Sequence, residues 1–73
     1  MKKCFEKKLG ACYLVEFSYD NDYYYIQLYK KWAKIEGYEA TDYSLKFPIK
    51  ESEKALSIYN GINLKNMYGV FEK

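Results

Sequence analysis

From Ala11 the pattern of apolar and polar positions takes a period of two. Ala11, Tyr13, Val15, Phe17 and Tyr19 fall on one side, and Cys12, Leu14, Glu16 and Ser18 on the other. That alternation predicts a half-buried strand over 11–19. After the polar break Asp20-Asn21-Asp22, the next run fits two patterns. Tyr25, Leu28, Tyr29, Trp32 and Ile35 have helical spacing, with Asp22 as a cap and Gly37 as a stop. The β-formers Tyr23-Tyr24-Tyr25-Ile26 favour a strand instead.

Register separates the two. If Asp20-Asn21 is a two-residue loop of type I′, Tyr19 faces Asp22. Phe17 then meets Tyr24, Val15 meets Ile26 and Tyr13 meets Leu28, apolar on apolar, whereas a one-residue slip would reverse the faces. The opposite face pairs Glu16 with Tyr25 and Cys12 with Tyr29. This predicts a second strand over 22–35. Its last part, Lys30 to Ile35, is read either as a strand with a bulge that re-aims Trp32 or as the start of a short helix.

Before the hairpin, Met1 to Gly10 is charged. Phe5 and Leu9 suit one helical turn, and a frayed lead-in closed by Gly10 suits the segment equally. Beyond the hairpin, 37–42 reads as a loop. Tyr43, Leu45, Phe47 and Ile49 alternate with polar residues, predicting a third strand over 43–49, at an edge because Pro48 donates no hydrogen bond. Ala55, Ile58, Tyr59 and Ile62 give a helix over 51–60, with Glu51 and Glu53 at its positive end and Asn60-Gly61 as its stop. Residues 67–71 read as a short final strand. The expected fold is a single α+β domain over 1–73, an antiparallel meander with one helix on one face.

Composition changes this picture in three ways. First, 73 residues bury a limited core, so aromatic packing or self-association must contribute. Tyrosine supplies ten of the fifteen aromatic residues, which suits half-buried sheet faces and interfaces. Second, every basic residue is Lys, and the residue usage matches AT-rich coding of a low-GC bacterium, a phage or a mobile element. Without Arg, bidentate reading of base edges or phosphates is unavailable. Third, the net charge of +2 is small and local in origin. Lys2, Lys3, Lys7 and Lys8 make the N-terminus basic, and Glu16, Asp20 and Asp22 make the hairpin tip acidic. No apolar run is long enough for a membrane span or a signal-peptide core, so a cytoplasmic protein is expected.

The chain has no His, and Cys4 and Cys12 alone cannot build a zinc set. Neither thiol has an adjacent base, and the four glycines are isolated, so no phosphate-cradling loop exists. Asp20-Asn21-Asp22 lacks the continuation of a calcium loop. No enzyme activity, catalytic residue, cofactor or metal is therefore expected.

The feature with functional potential is the sheet face that a single helix leaves open. The candidate partner-binding residues are Glu16, Asp20, Asp22, Tyr23, Tyr25, Gln27 and Tyr29. Their acidic members repel a phosphate backbone and suit a protein with a basic surface. The first reading is thus a small inhibitor-like protein, phage or mobile-element encoded, that blocks a host nucleic-acid-handling protein. One alternative is a single-stranded nucleic-acid module using Tyr stacking and the N-terminal lysines. Another is a homo-oligomeric structural protein or homodimer.

Overall fold

The computed structural model describes residues 2–31 and 37–72. Among them, four antiparallel strands form one open sheet in chain order: β1 (Lys2–Leu9), β2 (Tyr13–Tyr19), β3 (Tyr23–Lys30) and β4 (Glu39–Pro48). A 3-10 turn at Ile49–Glu51 leads into helix α1 (Ser52–Gly61), and a short helix α2 (Met67–Phe71) follows. The α+β meander and the helix after its last strand match the architecture that the alternation predicts.

The β2–β3 hairpin is present, with its register two residues from the expected one. Tyr19 faces Tyr24, Phe17 faces Ile26, Val15 faces Leu28 and Tyr13 faces Lys30. The loop is therefore Asn21-Asp22, and the Asp20 N–H donates to the Tyr23 carbonyl at 3.0 Å. A slip of two returns every side chain to its original face, so the apolar side of the hairpin is as expected although its pairs are not. The turn is also not of the primed type, since no described non-glycine residue has positive φ. Asp20 holds it instead: one carboxylate oxygen accepts the N–H groups of Asp22 and Tyr23, each at 2.8 Å.

Three element assignments are corrected. The N-terminal segment is strand β1, neither a helical turn nor a lead-in. Phe5, Lys7 and Leu9 point toward the helices, and the charged Lys7 in that row hid the alternation. Its stem lies against α1, and its ammonium donates to the carbonyls of Tyr59 (2.8 Å) and Asn60 (3.4 Å). A cation at the negative end of the helix thus meets the last-turn carbonyls of Asn60 and of Tyr59, the latter also accepting the Ile62 N–H at 3.2 Å. Strand β4 begins at Glu39, inside the expected loop. The expected C-terminal strand is helix α2, whose Met67, Val70 and Phe71 face the core at i, i+3, i+4. Its start is fixed by two asparagines. Asn63 Oδ1 accepts the N–H groups of Lys65 and Asn66, and Asn66 Oδ1 accepts the N–H of Asn63 in return. Strand β3 ends at Lys30, and the expected continuation through Trp32 and Ile35 lies outside the described residues.

The core lies between the sheet and the helices. Val15, Ile26 and Leu28 at its centre are fully buried. Ala55, Tyr59, Ile62, Met67 and Phe71 cover them. Burying an aliphatic side chain contributes about 1.5–3 kcal/mol, so these few residues carry much of a small stability margin. The tyrosines extend the core at both ends. Tyr24 and Tyr59 pack on Phe17, each with ring centroids 5.3 Å apart. At the other end Tyr43 and Tyr68 meet edge to face at 5.2 Å, and the Tyr13 and Tyr68 hydroxyls hydrogen-bond at 2.6 Å. The turn into β2 uses Gly10 at φ +66°, where a Cβ would also come within 3.1 Å of Leu64.

Candidate interaction face

Because the pleat alternates, the residues between those of the core all project from the opposite side of the sheet. Among the described residues no helix or strand covers that side. Strand β3 runs down its middle with Tyr23, Tyr25, Gln27 and Tyr29. Across from Tyr25, Gln27 and Tyr29 stand Ser18, Glu16 and Leu14 of β2. Glu6 of β1 faces Glu16, and Lys3 and Lys8 flank it. On the other side Pro48, Lys46, Ser44 and Ala40 of β4 complete the surface.

The expected pairs on this face are corrected with the register. Glu16 lies opposite Gln27, not Tyr25, and Tyr29 lies opposite Leu14, not Cys12. Glu16, Tyr23, Tyr25, Gln27 and Tyr29 do share the face, all half-buried. Two aromatic positions, Tyr25 and Tyr29, therefore lie diagonally to either side of Glu16. Burial, and secondarily the nearby Glu16 charge, push the Tyr29 hydroxyl above its ordinary pKa. The carboxylates of Glu6 and Glu16 stand directly opposite one another. Glu6 is neutralised by an ion pair with Lys3, which raises the lysine pKa, whereas Glu16 has no ion-pair partner among the described residues.

The acidic tip is built differently from a free rim. The second carboxylate oxygen of Asp20 accepts the Tyr25 hydroxyl at 2.6 Å. This bond, with the two backbone N–H donors, holds the Asp20 carboxyl below its usual range and pushes the Tyr25 hydroxyl up to about 12. Tyr25 is thus fixed over the tip, and Tyr23 stands 6.2 Å from it, centroid to centroid. Asp22 is exposed at the turn, while its backbone carbonyl accepts the Ile49 N–H.

Gln27 has an internal role that its position in the row does not reveal. Its amide nitrogen reaches the carbonyls of Leu28 (2.9 Å), Thr41 (2.8 Å) and Tyr43 (3.2 Å). The Thr41 hydroxyl donates to Leu28 and accepts from the Tyr43 N–H. Together they hold the irregularity where β3 and β4 fall out of step, between Gln27 and Tyr29. Lys46 joins the face as well, with its ammonium 4.3 Å from the Tyr23 ring centroid. Sequence reasoning missed Glu6, Thr41 and Lys46 because their neighbours depend on β1 and on the shifted start of β4.

Cys4 and Cys12 are both exposed free thiols. Among the described residues, no group of three or more His, Cys, Asp or Glu side chains is placed to hold a metal, and no helix is long and apolar enough to cross a membrane. Compared with protein-family models, with curated proteins and with solved structures, the chain has no match.

Proposed function

We propose that the chain is a non-enzymatic protein-binding module that occludes a basic surface of its partner through the open face of the sheet. The observation that carries this reading is the setting of Glu16. A carboxylate without an ion-pair partner among the described residues, facing a second carboxylate and flanked diagonally by Tyr25 and Tyr29, suits a lysine or arginine side chain from outside. The carboxylate supplies the charge and the rings supply cation–π contact and low-entropy apolar area. Tyrosine anchors surrounded by half-exposed polar groups are the usual composition of an energetic centre in an interface.

Small size, Lys-only basicity and AT-rich coding support a phage or mobile-element product. A host protein that handles nucleic acid has the basic surface such a face would cover. The test is affinity capture from lysate of the source cell with the wild-type chain and with Glu16→Lys and Tyr25→Phe/Tyr29→Ala variants, each checked by circular dichroism. The reading expects a defined partner that the wild type retains and Glu16→Lys loses. The single-stranded nucleic-acid reading draws support from Lys3, Lys8 and Lys46 beside the tyrosine row. It requires tight binding of labelled oligonucleotides that weakens steeply with salt, and such a result would displace the protein-binding reading.

A further inference from the structure

The two edges of the sheet are unlike. Strand β1 has Lys2, Lys3, Lys7 and Lys8, charges that discourage a further strand, and each edge strand has one register shift against its neighbour, β1 between Lys3 and Phe5 and β4 opposite Gln27 and Tyr29. Strand β4 is longer, and along its outer side Pro48 is the sole residue without a donor, at the very end. The hydrogen bonds show which residues face outward. Ile49 donates to Asp22, and the Thr41 and Tyr43 carbonyls both accept from Gln27, so the odd-numbered residues turn their backbone toward β3. Asp42, Ser44 and Lys46 between them therefore direct N–H and C=O groups away from the sheet.

That outer edge is complementary to itself. We propose that two copies of the chain join through β4, antiparallel about a two-fold axis at Ser44, into one continuous sheet. In this register Ser44 bonds the partner's Ser44, and Asp42 lies opposite the partner's Lys46 at two symmetric positions. On the helix side Tyr43 meets the partner's Leu45, again twice. Registers shifted by two residues place Lys46 opposite Ala40 or Ser44 and lose both charge pairs. The apolar side has surface to contribute, because Leu45 and Phe47 are only half-buried and line a groove of about 420 Å³ with Ile58 and Val70. A two-fold interface needs a self-complementary patch, and this strand supplies one in charge, in apolar contact and in backbone polarity. The contact leaves the Tyr23–Tyr29 row open, so it stands independently of the binding role proposed above.

The test is the mass of the full chain by sedimentation and light scattering over a concentration series. A dimer that dissociates on dilution is expected. Asp42→Lys and Lys46→Asp should each weaken it on the order of tenfold, because each turns two attractive cross-strand pairs into repulsive ones. The double variant D42K/K46D should restore the wild-type affinity. Ser44→Pro removes the outward donor at the axis without touching a bond to β3, and should give a folded monomer by circular dichroism. A wild-type monomer at every concentration overturns the proposal. So does open-ended polymer growth, a dimer indifferent to all four variants, or a double variant no better than the single ones.

Discussion

Asp20 and Gln27 stand among the polar residues that face the open side of the sheet, yet each is occupied by the fold. Asp20 ties down two N–H groups of its own turn and the hydroxyl of Tyr25. The sign of its pH dependence follows from the direction of each shift. The lowered Asp20 pKa contributes stability that is present above its ordinary value near 3.8 and is lost as pH falls through the folded-state value. The raised Tyr25 pKa contributes stability that is present below its ordinary value of 10.0 and is lost as pH rises toward about 12. In ultraviolet titration, Asp20→Asn should therefore bring one tyrosine back toward ordinary ionisation, and Tyr25→Phe should remove that transition from the wild-type curve. Gln27 shares its two amide protons among three carbonyls at the irregularity of β4. Gln27→Ala should cost roughly 1–3 kcal/mol in a urea melt, since half-buried carbonyls lose their donor. Its effect on partner binding should then be smaller than that of Glu16→Lys at equal folded fraction. Sequence pattern located Gln27 on the correct face and put Asp20 in the turn beside it. It did not reveal their duties, because an amide at a solvent-side position reads the same whether it meets water or a neighbouring strand.

At the scale of elements, the hairpin was legible and its neighbours were less so, for reasons that lie in particular residues. The strict alternation of β2 and the β-forming run of β3 gave two strands and the right core face. The two-residue error in register left no trace in that pattern, because the pleat repeats every two residues. Strand β1 was hidden by Lys7, a charge in a row that otherwise faces the core. Helix α2 was hidden because Met67-Tyr68-Gly69-Val70-Phe71 fits both periods and its start depends on the paired asparagines 63 and 66. Lys7 itself joins two elements. Burial lowers its pKa, and its ammonium closes the end of α1. Lys7→Met keeps the stem and removes the charge, and should lower stability by roughly 1 kcal/mol, with lost helical ellipticity and reduced hydrogen-exchange protection at the last turn of α1.

At the scale of the whole molecule, the described residues make two layers, helices over a sheet, with the third position open. Such a sheet keeps its outer side soluble by mixing charge with aromatic area, and here the mixture has a pattern. Lysines stand along the flanking strands, tyrosines run along the middle, and Glu16 lies beside the middle strand. The same arrangement suits the partner proposed above and limits indiscriminate association. The order of the strands, each beside its neighbour in the chain, has a kinetic consequence. Its contacts close short loops, so the meander should assemble in a single fast phase. The bond from Lys7 to Tyr59 joins residues 52 positions apart and carries a large loop-closure cost, so it should form after the rate-limiting step. In stopped-flow experiments Lys7→Met should then raise the unfolding rate while leaving the refolding rate nearly unchanged. The contact between the first strand and the helix would thus be the last to lock, and the lifetime of the native state would depend on how firmly it is held.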